Sequence, residues 1–542
     1  MAYPATEPDG VVLAPLSPAQ QRLWIVHRMD PTGPLYNVAH LLRLRGRLDV
    51  AVLEHALAEV VRRHDVLRTT FAERGGEPVQ VIAPQRLVRE ILQVRSMEAH
   101  PPALREPAAL REAAAEAWRR FDLERGPLCR LLLFPLSAEE NLLLVVMHHL
   151  VSDGWSLNVL FRELSTFYNA SLHGRPAHLP ELPMQYAGLS GWERERMQGE
   201  RFREDLAYWK RRLAGIPPVL DLSVGRPRPP VQRFRGERLP LREAGDLLER
   251  ARSQARALGA TSFEFLLAAY AALLGVYCGH EDVVIGVPMA GRTDPRLRPL
   301  IGFFVNTVVL RVDLSGDPPF DELVRRASAV AREAREHQDV PFHRLVEELQ
   351  PERSPSYTPL VQVFFVKHSP QTRADASLLE GIEATELLLP GRESLFDLTL
   401  TIDEERSHAE YDADLLDAET VGRLLEHYRA VVEAAVADPR RRCSELLSPG
   451  GADREVVLSG RRAAALASRP LRCVHEIFSE QAGRTPDAVA LVSRPERLTY
   501  ARLERRANRL AHLLRRRGVA PEVRVGVCLE RSPDLIVSLL AV

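Results

Sequence analysis

Apolar and polar positions follow two patterns along this chain, one typical of strands and one typical of amphipathic helices. Residues 128–135 and 142–147 are short, nearly continuous apolar runs, which predicts two buried strands, and the Ser-Ala-Glu-Glu stretch at 137–140 between them predicts a hairpin. From Trp155 onward the apolar positions recur at helical spacing, at Leu157, Leu160, Leu164 and Phe167. This segment therefore predicts a strand, a turn, a second strand and a helix.

The same two patterns extend over most of the chain. Ser17 begins the first predicted helix, because it can cap the helix, Pro18 suits the first helical position and Gln20 completes a capping box. Further helices are predicted at 53–61, 320–337 and 418–436, and buried strands at 282–287 and 360–366. The longest apolar run, 265–278, is too short to span a bilayer and predicts a buried helix. The alternation predicts an α/β sandwich with helices packed on sheets.

Changes in composition divide the chain into parts. Proline-rich segments at 176–183 and 217–230 separate two alternating regions, which predicts two lobes. The predicted parts are a first lobe at 11–180, a second lobe at 181–449, a linker at 450–472 and a third unit at 473–542. The third unit predicts a helix at 502–517 and a strand at 523–529, and we expect it to be the beginning of a longer domain.

Charge and cysteine content narrow the class of protein. The 72 basic and 73 acidic residues nearly cancel, so nothing favours a nucleic acid or an anionic membrane as partner. Two of the basic residues are lysine, which leaves 70 arginines, a bias that suggests a GC-rich bacterial genome. The five cysteines are scattered without a CxxC pair, which indicates neither a zinc site nor a disulfide framework. With Glu7 and Asp9 where a signal peptide would need basic and apolar residues, we expect a cytoplasmic protein without a membrane segment.

The candidate chemistry lies at the junction between the second strand and the helix. Residues 148–156 read His-His-Leu-Val-Ser-Asp-Gly-Trp-Ser, and Ser152 or Asp153 can cap the helix. Histidine titrates near neutrality, and a helix N-terminus favours developing negative charge. Two histidines at the end of a strand are more often core residues, but His148 and His149 are followed by an acid and a glycine at this junction. The combination favours a catalytic loop.

This stretch resembles the HHxxxDG motif of condensation domains of nonribosomal peptide synthetases, in the chloramphenicol acetyltransferase-like superfamily of acyltransferases. Other stretches resemble further motifs of that family in the same order, at 17–24 (SPAQQRLW), 63–71 (RHDVLRTTF), 186–192, 301–311 (IGFFVNTVVLR), 337–342 (HQDVPF) and 353–360. The resemblance covers about residues 11 to 450. It implies an α/β fold in which two chloramphenicol acetyltransferase-like sandwich lobes form a V with a central tunnel.

The last residues resemble the beginning of an adenylation domain. The stretches that carry this resemblance are Leu498-Thr499-Tyr500 and Asn508-Arg509-Leu510-Ala511. The chain stops before that family's phosphate-binding and catalytic motifs, and no GGxS-type carrier attachment site is found. We therefore expect residues 473–542 to be a truncated α/β fragment, and the chain neither to activate nor to carry an amino acid.

The resemblance implies an amide-forming reaction. The amine of an acceptor aminoacyl thioester attacks the carbonyl of a donor acyl or peptidyl thioester, and both substrates are held on carrier proteins by 4′-phosphopantetheine. It implies donor and acceptor carrier proteins and the rest of the adenylation domain as partners, and no cofactor or metal bound by the chain itself. We expect a monomer.

The resemblance also assigns roles to the motif. An amine attacks only when unprotonated, so His149, the second histidine, is expected to hold or remove its proton, as a general base or a positioning group. His148 projects to the other side of the strand and is as readily structural as catalytic. Asp153 is expected to hold the loop, with Arg68 as its ionic partner and Arg63 as further support. The N–H of Gly154 is a candidate oxyanion donor, although the turn alone also explains a glycine.

Three further residues are candidates for substrate binding. Ser156 either caps the helix or lines the channel. Trp155 is expected to pack more than to contact substrate. Asn306 in the 301–311 stretch is a weaker candidate for shaping the channel, and a structural role is favoured for it.

The sequence departs from the family pattern in three places outside the active-site motif. Gly188 stands where the family usually has an acid, His343 where glutamate commonly follows Pro-Phe, and Ser354 and Tyr357 where Asp and Arg are usual. These changes weaken inference about local salt bridges and do not imply inactivity.

Several functions remain open on the sequence alone. The motif set favours an elongation domain that joins an L donor to an L acceptor, and the alternative is a starter domain that takes a fatty acyl donor. An epimerisation domain is disfavoured by the adenylation start that follows, and a heterocyclising domain by His148. A non-catalytic platform that recruits carrier proteins or tailoring enzymes is a further alternative, disfavoured by the intact histidines and Gly154.

Overall fold

The computed structural model describes most of the chain. The described residues are 5–7, 10–29, 36–84, 88–222, 226–241, 245–352, 354–368, 379–391, 393–404, 406–447, 473–493, 496–520 and 523–542. The predicted linker at 450–472 lies outside them. The contacts within the chain divide it into two units, Met1–Ala464 and Ala465–Val542, which are described separately.

Strands of the first unit form three sheets. The strands are β1 (Ala5–Thr6), β2 (Val12–Pro15), β3 (Asn37–Arg45), β4 (Thr69–Arg74), β5 (Glu77–Ile82), β6 (Leu92–Val94), β7 (Cys129–Pro135), β8 (Glu140–His148), β9 (Gly236–Pro240), β10 (Asp282–Met289), β11 (Asn306–Asp313), β12 (Val363–Lys367), β13 (Glu383–Leu387), β14 (Leu398–Ile402) and β15 (His408–Asp412). A six-stranded sheet has the order β11-β10-β12-β14-β15-β9, a five-stranded sheet β13-β3-β8-β7-β6 and a small sheet β1-β2-β5-β4.

Helices pack against these sheets. They are α1 (Pro18–Met29), α2 (Val50–Arg63), α3 (Val88–Ile91), α4 (Pro102–Ala117), α5 (Gly154–Leu172), α6 (Leu189–Gln198), α7 (Glu200–Arg212), α8 (Gly245–Ala257), α9 (Ser262–Cys278), α10 (Phe320–Glu336), α11 (Phe342–Leu349), α12 (Ala418–Ala437) and α13 (Cys443–Leu446). One large hydrophobic core surrounds the five-stranded sheet and another the six-stranded sheet. The predicted α/β architecture with two lobes is confirmed.

The predicted elements around the candidate site are confirmed. β7 and β8 pair antiparallel as a hairpin, and the side chains of residues 142–147 are all buried, which explains why this strand is apolar on both faces. The capping box of α1 is present, because the Ser17 N–H donates to Gln20 Oε1 at 3.0 Å and the Gln20 N–H to Ser17 Oγ at 3.2 Å. A second capping box, between Thr261 and Glu264, begins the buried helix α9.

One strand crosses between the predicted lobes. β13 comes from the second half of the chain but pairs antiparallel with β3 at the edge of the first lobe's sheet, with Leu387 opposite Leu41. Segments around 186–189 and 297–304 also contribute side chains to the first lobe's core. A division at residue 180 therefore does not separate the two cores along the chain.

The second unit is small. It contains helices Val474–Arg484, Tyr500–Arg516 and Pro533–Ala541 and an antiparallel pair of strands, Val489–Ser493 and Glu496–Thr499. The predicted strand at 523–529 is wrong, since these residues are irregular and the side chains of Val523 and Leu529 are about half exposed. A strand needs a neighbour to satisfy its backbone, and the described part of this unit pairs no strand with residues 523–529.

Among the described residues no single helix has the length and hydropathy of a membrane-spanning helix. The pair α8 and α9, which meet at a bend of 105°, has them only when the two helices are taken together.

Candidate active site

The backbone of the sheet fixes the two histidines of the loop. His148 ends β8, and its N–H donates to the Leu128 carbonyl at 2.9 Å, whereas the N–H of His149 donates to the Tyr36 carbonyl at 2.9 Å. Successive side chains of an extended segment point to opposite sides. The two imidazoles therefore enter different environments.

His149 presents one ring nitrogen to a cavity. Its Nδ1 lies 3.0 Å from the Ser152 carbonyl oxygen, and since a carbonyl only accepts, Nδ1 carries the proton. In the neutral ring Nε2 is then a hydrogen-bond acceptor. The ring lines a cavity of about 410 Å³, which we call the His149 cavity. The arrangement leaves an unprotonated imidazole nitrogen available to a ligand.

The surroundings of His149 favour its neutral form. Burial lowers the pKa of the ring, and the hydrogen bond to Ser152 and the negative charge of Asp153 oppose this shift without reversing it. His149 is therefore unprotonated at pH 7 and able to accept a proton.

His148 is part of the core. Its side chain is buried, Nδ1 accepts a hydrogen bond from the Leu150 N–H at 3.1 Å, and the Phe121 ring packs edge-on at 6.1 Å. Burial, with the neighbouring His149, lowers the pKa of His148 to about 3. Of the two roles left open for His148, the geometry supports the structural one.

Acidification is expected to weaken the fold partly through His148. Below the ordinary histidine pKa the unfolded chain binds a proton at this residue, whereas the native ring does so only near pH 3. The contribution of His148 to the free energy of unfolding is therefore complete above pH 6.5. It decreases by about 1.4 kcal/mol for each pH unit below that value. Urea unfolding at pH 7 and pH 5.5 measures how steeply the free energy of unfolding changes with pH. This slope should be smaller in His148→Gln than in wild type, and an unchanged slope would contradict the role of His148.

Asp153 joins the loop to the second lobe. It caps α5, as the sequence predicts, with Oδ1 accepting from the Ser156 N–H at 2.8 Å. Its ionic partner is Arg292, whose Nη2 lies 3.1 Å from Oδ1, and the Phe304 N–H donates to Oδ2 at 3.0 Å. Both charged side chains are almost fully buried. Arg292 follows β10, so this ion pair connects the two lobes.

The prediction that Arg68 pairs with Asp153 is wrong. Arg68 pairs with Asp65 and donates to nearby carbonyl groups, including that of Val61 at 3.2 Å. Its guanidinium is thus satisfied within its own region of the fold. Arg63 does support the site, because its Nε donates to Glu163 of α5 at 3.1 Å and so ties α2 to the helix that follows the loop.

Ser156 belongs to the same buried network. Its Oγ lies 2.7 Å from Asp153 Oδ1 and 2.8 Å from the Gly302 carbonyl oxygen, and the Gly302 N–H donates to it at 3.0 Å. Because the side chain is fully buried, Ser156 does not line the channel, and it does not cap α5 either, since Asp153 is the capping residue. A side chain at Gly302 is excluded, since its Cβ would lie 2.0 Å from the Tyr186 ring.

The other predicted substrate contacts have partners within the protein. The Trp155 indole N–H donates to the Arg298 carbonyl at 2.9 Å, consistent with a packing role. The Asn306 amide donates to the carbonyl groups of Gln338 and Val340 and accepts from the Phe342 N–H, which gives it the structural role that the sequence favours.

Gly154 is exposed at the first position of α5. A Cβ built there meets no atom within 4 Å, so packing does not require glycine at this position. Within the described residues its N–H has no hydrogen-bond partner, as is usual in the first turn of a helix. The backbone is therefore open to a ligand at this point.

Two cavities lie near His149. Its ring lies 5.4 Å from the Phe303 ring, centroid to centroid, and Phe303 lines a second cavity of about 120 Å³, the Phe303 cavity. The His149 cavity is enclosed by residues of both lobes, including Asn37 and His40 of β3 and Thr401 of β14. His149 therefore lines one cavity and contacts an aromatic residue that lines another.

Sequence reasoning missed Arg292, Phe303 and Phe304. Arg292 is one of 70 arginines and lies far from Asp153 along the chain, so no local pattern distinguishes it. Phe303 and Phe304 fall in the 301–311 stretch, which the family resemblance did select, although only Asn306 was chosen from it.

A two-lobed α/β fold with an HHxxxDG loop between its lobes defines the class of condensation-type acyltransferase folds. The family model described as "Condensation domain" matches residues 12–458, and the model "AMP-binding enzyme" matches residues 478–542. The chain thus belongs to the condensation-domain family of nonribosomal peptide synthetases and continues into a short AMP-binding fragment.

Curated relatives are parts of large synthetases. Chondramide synthase cmdD of Chondromyces crocatus is 40% identical over 100% of this chain, and phosphinothricin tripeptide synthetase PhsB of Streptomyces viridochromogenes is 40% identical over 99%. The chain spans 14% of the first relative's length and 46% of the second's.

Solved structures share the fold. The X-domain from teicoplanin biosynthesis superimposes with a TM-score of 0.71 at 32% identity, over 82% of this chain and 99% of that chain. The first condensation domain of the calcium-dependent antibiotic synthetase, in complex with a substrate analogue, has a TM-score of 0.68 at 23% identity, over 80% and 98% of the two chains, and supports the fold alone.

Proposed function

We propose that this chain forms an amide bond between a donor acyl or peptidyl thioester and the amine of an acceptor aminoacyl thioester. The observation that carries the proposal is the neutral His149 ring, whose Nδ1–H is held by the Ser152 carbonyl while the ring lines the cavity between the lobes. The reaction needs a proton acceptor at the amine, and an imidazole with a lowered pKa supplies one at neutral pH.

In this proposal Nε2 of His149 accepts a hydrogen bond from the acceptor amine. The amine nitrogen attacks the donor carbonyl carbon, the carbonyl electron pair moves onto oxygen, and the amine proton passes to Nε2. When the tetrahedral intermediate collapses, the C–S bond breaks and the proton leaves with the thiolate as a thiol. The hydrogen bond from Nδ1 to Ser152 keeps the ring in the tautomer that these steps need.

The developing oxyanion lies beside the N-terminus of α5 in this proposal. The Gly154 N–H is the candidate donor, because it is exposed and has no partner among the described residues. The first turn of a helix favours negative charge there. Asp153 and Arg292 act by holding the loop and do not touch the substrate.

The substrates are proposed to be held on carrier proteins by phosphopantetheine, with no cofactor bound by the chain. The curated relatives are multidomain synthetases, which supports carrier proteins and the rest of an adenylation domain as partners. We further propose a cytoplasmic monomer whose lobes and third unit have approximately the boundaries predicted from sequence, except that β13 and the segments around 186–189 and 297–304 pack with the first lobe.

We propose that the chain is an elongation domain, and the chemical class of the donor that it accepts distinguishes this from a starter domain. Intact-mass detection of the amide on an acceptor aminoacyl carrier protein, with a panel of peptidyl and fatty acyl donor carriers, separates the two. We expect transfer of peptidyl donors. Transfer of fatty acyl donors alone would assign a starter domain.

A recruitment platform is the second candidate. The observation that favours it is the 32% identity to the teicoplanin X-domain, which has also been solved in complex with OxyB. Stable binding of a tailoring enzyme by the full chain, combined with no transfer from any donor, would support it over amide formation.

A further inference from the structure

Glu193 is a carboxyl group without a partner in the Phe303 cavity. It lies on α6 and lines this cavity together with Trp192, Phe303 and Phe304. Its Oε2 is buried and makes no hydrogen bond within the described structure. A buried carboxyl oxygen without a donor is costly, so its retention calls for an explanation, and a ligand that donates a hydrogen bond to the carboxyl group is one.

The other charges of this cavity are paired. Arg196 pairs with Asp339, and Arg201 lies 3.1 Å from Asp205. Glu193 is therefore the charged group of the cavity that lacks a close partner. Burial raises its pKa to about 7, and the positive charge of Arg196 opposes the shift. Protonated or not, Oε1 and Oε2 together retain the ability to accept a hydrogen bond.

The Phe303 cavity shares part of its wall with a larger cavity. Pro18, Met197 and Phe202 line both the Phe303 cavity and an outer cavity of about 640 Å³. At the other end, Phe303 lies against His149. A slender ligand that followed these lining residues from the outer cavity toward His149 would pass the cavity that Glu193 lines.

We infer that Glu193 accepts a hydrogen bond from an amide N–H of the acceptor's thioester-bearing arm and so positions the acceptor for attack. This inference rests on the proposed function. Such an arm has amide groups joined by aliphatic spacers. The spacers suit the aromatic side chains of the Phe303 cavity, and an amide N–H suits its unpaired carboxyl group. The acceptor is assigned to this side because its aminoacyl group carries N–H donors, and a carboxyl oxygen accepts hydrogen bonds from them.

The test compares two acceptors of equal length. One is an aminoacyl pantetheine thioester, and the other an aminoacyl thioester of a straight alkanethiol without amide groups, each with the donor on its carrier protein. In wild type, kcat/KM should favour pantetheine by about 10- to 100-fold. Glu193→Leu should reduce the preference to within about threefold, and Glu193→Gln should retain most of it because its amide oxygen still accepts.

Two controls distinguish positioning from support of the fold. Glu195→Leu changes an exposed residue of the same helix and should keep the full preference. Glu193→Leu should leave Tm unchanged or raise it, because it removes a buried group without a partner; Glu193→Met repeats the test with an unbranched side chain.

Each outcome bears on the inference. The inference is overturned if Glu193→Leu keeps the full preference for the pantetheine acceptor, or if Glu195→Leu loses that preference. It is also overturned if Tm falls in both Glu193→Leu and Glu193→Met, a result that would assign Glu193 a structural role. An effect on donor arms instead of acceptor arms overturns the assignment of the acceptor to this side. If wild type forms no amide from any carrier-bound pair, the proposed function fails, and the inference fails with it.

Discussion

His149→Ala is expected to lower the rate of amide formation by about 10²- to 10⁴-fold, the contribution usual for a positioned general acid or base. The reason is geometric, because His149 combines a fixed Nδ1–H tautomer, a lowered pKa and a place in the cavity wall. Single-turnover kinetics with preloaded donor and acceptor carriers measure the loss in the chemical step.

The matched control for this prediction is His100→Ala, at an exposed histidine. It should leave the rate unchanged, and both variants should melt within a few degrees of wild type, because the His149 ring is only partly buried. A His149→Ala protein that is folded and retains at least a third of the wild-type rate contradicts the role assigned to this residue.

Arg292→Met is expected to cost about 3–5 kcal/mol of unfolding free energy and to reduce amide formation severely. It leaves Asp153 charged, buried and without its ionic partner, a situation far more costly than the loss of a surface pair. It also removes hydrogen bonds to the carbonyl of Leu300 and the hydroxyl of Ser156. Urea unfolding of the two proteins measures the difference.

Two further variants sharpen this prediction. Asp282→Asn breaks the partly exposed pair with Arg311 and should cost only about 0–1 kcal/mol. The double variant Asp153→Asn with Arg292→Met should recover part of the lost stability, because it removes both buried charges. Equal costs for Arg292→Met and Asp282→Asn would mean that the buried pair does not support the loop.

The local parts of the site could be predicted from sequence. The hairpin of β7 and β8, the Asp153 cap and the start of α5 depend on neighbouring residues, whose patterns carry strong signals. The alternation of side chains along β8 separated the roles of His148 and His149 for the same reason. Family resemblance then gave this local geometry a chemical meaning.

The contacts between distant segments could not be predicted. Arg292 and β13 reach the first lobe from the second half of the chain, and neither is distinguished by local composition. The expected Arg68–Asp153 pair failed because Arg68 finds Asp65 and backbone carbonyls nearby. Ser156 was misjudged because a hydroxyl next to a capping residue suits a channel wall and a buried network equally well.

The most direct test of amide formation is intact-mass analysis of the acceptor carrier after mixing with a loaded donor carrier and the full chain. We predict that wild type increases the acceptor's mass by that of the donor acyl group and that folded His149→Ala does so at least 100-fold more slowly. No mass increase with wild type, although both carriers bind, or equal rates for the two proteins, would contradict the proposed function.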